Sequence, residues 1–467
     1  MVVGDFAIEL DTVVIGAGPG GYVAAIRAAE MGQKVAVIEK EYVGGVCLNV
    51  GCIPSKALIQ AGHKFHDMTH SDYLGVQCEQ ATLDFSKTQE WKQSIVTKLT
   101  DGVRYLFKKH NIELIEGEAF FVDEHQLRVI NGDHAQSYSF NNAIVATGSR
   151  PIEIPGFAFE KRVLDSTGAL NLTEVPRHLI IIGGGVIGVE LGTAYRHLGS
   201  DVTILEGVPR LLSPFDKDMT DIVTKRLEAE GISVITNARA IKSEQTETDV
   251  TVTYSVDGNE QQLTGDYVLV AVGRRPNTDD LGLDILDVAM DDRGFIDVDN
   301  QGRTSVPSLW AIGDIVKGAA LAHKASYEGK VAAEAISGKK GIVDYKAMPA
   351  VAFCDPEIAT TGLQLMDIED QKQDYRVTKF ALTGNGRALS LNDTAGFIRL
   401  IVRKSDNVVV GGQVVGPNAS DLITEITLAI EAGMNDEDLA LTIHPHPSLS
   451  EAIMDTAEAS TGYPIHM

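Results

Sequence analysis

The chain has 467 residues, enough for about three domains of ordinary size. Hydrophobic residues make up 44% and charged residues 22%, which excludes a collagen-like or wholly disordered chain. A net charge of −25 argues against nucleic acid, whose phosphates need a basic face, and four cysteines are too few for a disulfide scaffold. The acidic balance suits solubility or a basic protein partner. The first nine residues have neither a basic opening nor an apolar run of signal-peptide length. The longest apolar stretch, residues 179–191, is glycine-rich and too short to span a bilayer, so a cytoplasmic protein without membrane insertion is expected.

Residues 12–15 predict a short strand, followed by a glycine turn, an Ala-rich helix and a second strand ending in Glu39. The same pattern returns without a gap at residues 182–206: Gly16, Gly18 and Gly21 correspond to Gly183, Gly185 and Gly188, and Glu39 to Glu206. This is the βαβ dinucleotide fingerprint. Its first glycine permits the tight turn, its second lets the backbone approach a pyrophosphate, and its third lets helix and strand meet closely. The helix N-terminus attracts the phosphates, and the terminal Glu accepts hydrogen bonds from a ribose.

Directly after the first copy, residues 44–56 read GGVCLNVGCIPSK. Five positions of regular helix would separate Cys47 and Cys52 by about 7.5 Å along the axis, beyond the usual disulfide reach of about 7 Å. A distorted turn is needed, and Gly51 supplies freedom for one. Zinc sites prefer closer spacing with further ligands nearby, so no metal is expected here. Two structural thiols are the alternative to a reducible disulfide; two neighbouring dinucleotide sites favour the redox reading. Lys56 reads either as a positive charge for a reduced flavin or as a solvated lysine. His63, His66 and His70 read as a solvated helical face, and the isolated Cys78 and Cys354 as structural.

A second repeat marks chain crossings. VATGSRP at residues 145–151 matches VAVGRRP at 270–276. The expected division is a first nucleotide domain from 1–150, an inserted second one from 151–272, a return to the first over 273–343, and an α+β domain over 344–467. In the second fingerprint helix Glu190 would disfavour a pyrophosphate unless it points away, and a pairing with Lys56 would explain both residues. Two nucleotide folds suggest a flavin in the first, beside the cysteines, and an exchangeable nicotinamide in the second. Near the C-terminus, HPHPSLSE (444–451) holds two histidines and Glu451; a His backed by a Glu suits the base that thiol chemistry requires, and His444 reads as structural.

The motifs GAGPGGY, GGVCLNVGCIPSK, ATGSRP, GGGVIGVELG, VGRRPNT, AIGD, LAHKASYEG and HPHPSLSE together resemble the flavin-dependent disulfide reductases, the class I pyridine nucleotide–disulfide oxidoreductases, over essentially the whole chain. Within that family the sequence is similar to the NAD-using members that oxidise protein-bound dihydrolipoamide in bacterial 2-oxo acid dehydrogenase complexes, pyruvate dehydrogenase especially. It lacks the C-terminal cysteine pair of mercuric reductases, and Ser448 stands where the family usually has Thr. The resemblance implies a homodimer with two Rossmann-like domains, the second inserted in the first, and a C-terminal α+β dimerisation domain. It implies a Cys47–Cys52 disulfide in which Cys47 forms the mixed disulfide and Cys52 faces the flavin, with His446 as base, oriented by Glu451 and serving the partner subunit. FAD is implied at Gly16, Gly18, Gly21, Glu39, Lys40, Gly45, Val46, Cys47, Lys56, Ala119, Thr147, Gly148, Asp314 and Ala322. NAD is implied at Gly183, Gly185, Val186, Ile187, Gly188, Glu190, Glu206, Gly273 and Arg274. The implied partners are the lipoyl and subunit-binding domains of the acyltransferase core. The rivals are an NADPH-dependent reductase of another disulfide and a docking subunit with secondary activity.

Glu206 should set coenzyme choice by accepting from the ribose and repelling a 2′-phosphate. Replacing Glu206 with Ala should weaken NAD and relieve the penalty on NADP. An unchanged NAD/NADP ratio of kcat/KM would remove Glu206 as the discriminator.

Overall fold

The computed structural model describes residues 7–466, so residues 1–6, which carry most of the leader reading, lie outside them. The first fingerprint unit builds the centre of a seven-stranded sheet. Strands Glu113–Glu116, Val35–Glu39, Ile8–Ile15 and His134–Val145 run parallel in that order, and Leu309–Ala311 adds parallel to His134–Val145. Strands Gln126–Asn131 and Glu118–Asp123 continue the sheet antiparallel. The strand predicted from residue 12 starts at Ile8. Its first residues are half open to solvent, and pairing with His134–Val145 from Ile8↔Tyr138 onward, rather than hydrophobic patterning, extends it.

The second fingerprint unit builds a separate parallel sheet in the order Ser233–Ile235, Asp201–Leu205, His178–Ile182, Tyr267–Val270, Val163–Leu164. After their first residues its central strands are buried and, Thr203 apart, apolar, because both faces are covered. An antiparallel sheet of Ala238–Gln245, Val250–Val256 and Asn259–Gly265 lies beside it. This unit is an insertion: the chain leaves by Ser149–Pro151 and returns by Arg274–Pro276, and these two strands pair antiparallel with each other. The repeated GSRP and GRRP segments form that ribbon.

The C-terminal unit is a five-stranded antiparallel sheet with the helices Ala419–Ala432, Asp436–Leu441 and Glu451–Thr461. Strands Phe397–Arg403 and Val409–Val415 and helix Ala419–Ala432 give this unit the α+β character expected of residues 344–467. Ile398, Leu400 and Val402 of strand Phe397–Arg403 pack with residues of its helices in one core. Among the described residues no helix is long and apolar enough to cross a membrane.

One buried cluster ties this unit to the inserted one. Arg399, 2% exposed, donates to Asp216 at 3.1 Å and also to Asp218, while Asp216 accepts from the Leu365 and Met366 amides. Replacing Arg399 with Met should cost about 3–5 kcal/mol, because the Asp216 charge stays buried without its partner. Chemical denaturation of the variant against the unaltered protein measures this; a loss under about 1 kcal/mol would show that the amides alone satisfy Asp216.

Candidate active site

Both fingerprints close in the same way. Gly16 and Gly183 adopt φ of +101° and +106°, and a Cβ on either would stand 2.4 or 2.5 Å from the carbonyl oxygen of Ala146 or Ala271. The third glycines, Gly21 and Gly188, meet the Gly16 and Gly183 carbonyls so closely that a Cβ would overlap them, at 1.8 and 2.0 Å. Those two residues shape the turns and do not line the cavity that follows.

A continuous cavity of about 2190 Å³ runs from the first fingerprint past the cysteines to the second. At its first end lie Gly16, Gly18, Glu39, Lys40, Gly45 and Val46, with Ala119, Thr147, Gly148, Asp314 and Ala322 on the opposing wall. At its second end lie Gly183, Gly185, Val186, Ile187, Glu206, Gly273 and Arg274. Cys47, Cys52, Lys56 and Glu190 line it as well.

The residues fit two dinucleotides. A Cβ on Gly185 would meet no atom within 4 Å and one on Gly18 only the Gly45 backbone at 3.8 Å, so both helix N-termini present bare backbone to the cavity. Glu39 closes its strand with Oε2 accepting from Ala17 N at 2.7 Å and Oε1 from Glu41 and Tyr42 N. Glu206 accepts from Gly184 N at 2.5 Å and Val208 N at 2.8 Å. Each carboxylate is thereby aimed across its own turn and keeps lone pairs for ribose hydroxyls.

The cysteines do not share one regular helix. Helix Gly45–Val50 ends at Gly51 (φ −141°, ψ −113°), and helix Cys52–Thr69 starts at the next residue. The break folds the sulfurs into hydrogen-bond contact. The hydrogen bond from Cys47 holds the Cys52 thiol down to about 7 against the cost of burial, helped by Lys56. The same bond, reinforced by burial, raises Cys47 above the usual thiol range. Cys52 also opens an 18-residue helix, whose positive dipole end favours its thiolate. Cys52 is exposed where it lines the cavity.

Lys56 and Glu190 do pair, Nζ to Oε2 at 2.8 Å. The other Glu190 oxygen accepts from the Phe353 amide at 2.9 Å, and the Lys56 ammonium sits 4.4 Å from the centre of the Phe353 ring. Glu190 is thus turned away from the pyrophosphate end. Phe353 belongs to the C-terminal unit and carries no motif, so sequence reasoning missed it. Ser149 was also missed, although it lies inside the second repeat: its hydroxyl donates to Asp314 at 2.6 Å and accepts from Arg274 at 2.8 Å. Arg274 therefore reaches across the chain crossing to the first unit's side of the cavity.

His446 stands apart from the cavity. Its Nδ1 lies 2.8 Å from Glu451 Oε1, and its side chain is 82% exposed. Burial pushes the Glu451 carboxyl up, but the Ser448 amide at 2.7 Å and His446 outweigh this and hold it below the ordinary range. His444 is structural, its side chain buried and its Nε2 2.7 Å from Glu425. Cys354 is buried, as a structural thiol should be, whereas Cys78, read the same way, is exposed because its polar loop offers no core to enter. The histidine stripe is only partly a solvated face: His70 is exposed, whereas His63 stands edge-on to His197 of the second fingerprint helix and His66 lies tilted against it, and burial, then the His197 charge, lowers His63 and holds His66 at about 4.

Residues 10–329 match the family model of the pyridine nucleotide-disulphide oxidoreductases, and residues 348–457 match that family's dimerisation domain. The chain belongs to this family; it is an oxidoreductase, its cofactors are FAD and NAD(H), and its C-terminal unit is a dimerisation domain that makes it a homodimer. It is 60% identical to a dihydrolipoyl dehydrogenase of Geobacillus stearothermophilus over 100% of this chain and 99% of that one. It is 55% identical to a dihydrolipoyl dehydrogenase of Bacillus subtilis over the full length of both. LpdA from Mycobacterium tuberculosis superposes with a TM-score of 0.90 at 27% identity, over 96% of this chain and 99% of that one.

In the reduced, flavin-loaded protein, the long-wavelength band of a thiolate beside oxidised flavin should appear as pH rises, with a midpoint near 7, and vanish below it. Lys56→Met should move that midpoint upward, since it removes the cation that favours the thiolate. Absorbance titration measures both; an ordinary midpoint near 8.5 would deny Cys52 its activated state.

Proposed function

We propose that this chain oxidises protein-bound dihydrolipoamide to lipoamide and reduces NAD+ to NADH, as the dihydrolipoamide-oxidising component of a bacterial, cytoplasmic 2-oxo acid dehydrogenase complex, with pyruvate dehydrogenase as its host. The observation that carries this reading is the Cys47–Cys52 thiol pair set between two dinucleotide cradles, with the polarised Cys52 next to Lys56. Full-length relatives at 55–60% identity support the substrate, and Glu206 supports NAD. The division into residues 1–150 and 273–343 for FAD, 151–272 for NAD and 344–467 for the dimer accords with the ribbon between the two units.

With the pair oxidised, His446 takes a proton from one thiol of dihydrolipoamide. The resulting thiolate attacks Cys47 Sγ, the Cys47–Cys52 bond breaks, and its electron pair stays on Cys52 as the thiolate. His446 passes that proton to solvent and takes the proton of the second substrate thiol, which attacks the substrate sulfur held on Cys47 and closes the lipoyl disulfide; Cys47 leaves and takes this second proton back from His446. The substrate has lost two electrons and the cysteines have gained them, which leaves the pair reduced with the thiolate on Cys52. The chemistry that a bound flavin supplies is the passage of this electron pair to NAD+ as a hydride.

Glu451 holds the Nδ1–H of His446 and leaves Nε2 free to accept the proton. Within one chain the ring faces solvent, outside the cavity of its own cysteines, so it serves the partner subunit's pair. Leu441 and Ile443, 73% and 94% exposed, precede it on the dimerisation domain and supply apolar surface for that contact. The acidic surface suits a basic segment on the acyltransferase core, beside its lipoyl domain.

His446→Ala should slow the thiol half-reaction by roughly 10²–10⁴-fold and leave NADH oxidation by the flavin intact. Co-refolding it with Cys52→Ser, each inactive alone, should restore about a quarter of full activity, because half the dimers are mixed and each has one complete site. Confirmed heterodimers with no lipoamide-dependent NADH production would defeat the shared site.

A further inference from the structure

A cluster away from the redox cavity has no part in that chemistry. His66 comes from the cysteine helix, His197 is the last residue of helix Val186–His197, and Glu230 caps the C-terminus of helix Lys217–Ala229. One ligating atom from each lies within 4.8 Å of the other two. The convergence depends on Gly62, where a Cβ would stand 2.9 Å from the Ala194 carbonyl oxygen and 3.1 Å from His197 Cβ. Without a side chain there, the two helices cross closely and the His63/His66 face is laid on His197.

The cluster contains unmet bonding capacity. His197 is 3% exposed; its Nε2 lies 2.9 Å from Glu230 Oε2, and its Nδ1 is buried with no partner. The Nε2 of His63, whose ring stands edge-on to His197, is buried and unpartnered too. A buried imidazole nitrogen without a hydrogen bond is a desolvation left uncompensated, and its lone pair is what a metal ion requires. Glu230 is braced through its carbonyl, which accepts from Arg196 Nε at 2.6 Å. His70 stacks on His66 with ring centres 4.0 Å apart, its Nδ1 occupied by Thr69 and the His66 carbonyl, so it braces the cluster and does not join it.

We propose that His66, His197 and Glu230 form a binding site for a divalent late first-row transition ion, of the zinc type, that clamps the two nucleotide-binding units together. Two imidazoles and a carboxylate are a donor set such ions favour, with a fourth position left to water or His63. Metal–ligand bonds of about 2.0–2.2 Å place tetrahedral neighbours roughly 3.4 Å apart, so side-chain rotation has to draw the three in by up to about 1.4 Å. His66 lies 14 residues along its helix from Cys52, about 21 Å, so the site is separate from the redox thiols.

The test is calorimetric titration of Zn²⁺ into the flavin-loaded protein, with its accessible thiols alkylated so that sulfur does not compete. One ion per chain should bind with a Kd on the order of micromolar or tighter. His66→Gln and Glu230→Gln should each weaken binding by about tenfold or more while leaving the melting temperature without metal near that of the unaltered protein. Co²⁺ in place of Zn²⁺ should give intense tetrahedral bands without thiolate charge transfer, and this reading on the unaltered protein holds even if a variant fails to fold. Absence of saturable one-to-one uptake, binding that either folded variant leaves unchanged, or weak octahedral or thiolate-type Co²⁺ bands would overturn the site.

Discussion

The contact between Lys56 and Glu190 is the constraint on which the active site depends. Glu190 is buried, and a buried carboxylate is tolerated only when it is paired and hydrogen-bonded. Both conditions are met from other parts of the chain: Lys56 on the cysteine helix supplies the charge at 2.8 Å, and Phe353 of the C-terminal unit supplies the amide at 2.9 Å. Three units are therefore held at one point, and that point lies one helical turn from Cys52. The Lys56 ammonium cannot be optimised for the carboxylate alone, since the Phe353 ring fixes it from the other side.

That placement polarises the thiols. Two identical side chains five residues apart acquire opposite tendencies because the break at Gly51 puts one inside a short helix and the other at the head of a long one. The helix end and Lys56 act on Cys52, and the Cys47 thiol donates to it; each favours negative charge on the same sulfur. Such a sulfur leaves readily from a disulfide, which is why the proposed reaction has the incoming thiolate attack Cys47.

The proposed proton acceptor belongs to a different surface. His446 is fixed by a carboxylate that is itself fixed by the Ser448 amide, and this chain of contacts orients a ring that remains open to solvent. An oriented yet exposed base is complete only when another surface covers it. The family's dimerisation domain, matched over residues 348–457, provides the symmetry for that cover.

Features that depend on residue type at short range were legible in the sequence. The glycines of both fingerprints, the acids closing them, the paired crossing segments and the cysteine spacing are local requirements: a missing Cβ, a bond length, a turn. The Lys56–Glu190 pair was legible only as a suggestion, because 134 residues separate its members and no spacing rule links them. Phe353 was invisible, since its amide is one that any residue has and its ring meets Lys56 from a distant part of the chain. The histidine stripe was misread as wholly solvated, because a helix period shows which residues share a face but not what covers that face. Gly62 let the second fingerprint helix approach and cover it. Residue type at short range was thus enough for the turns, the cofactor class and the spacing of the cysteines. Which buried charges meet, which thiol is polarised and which histidines are covered follow only from where separate helices cross, and no local pattern encodes that.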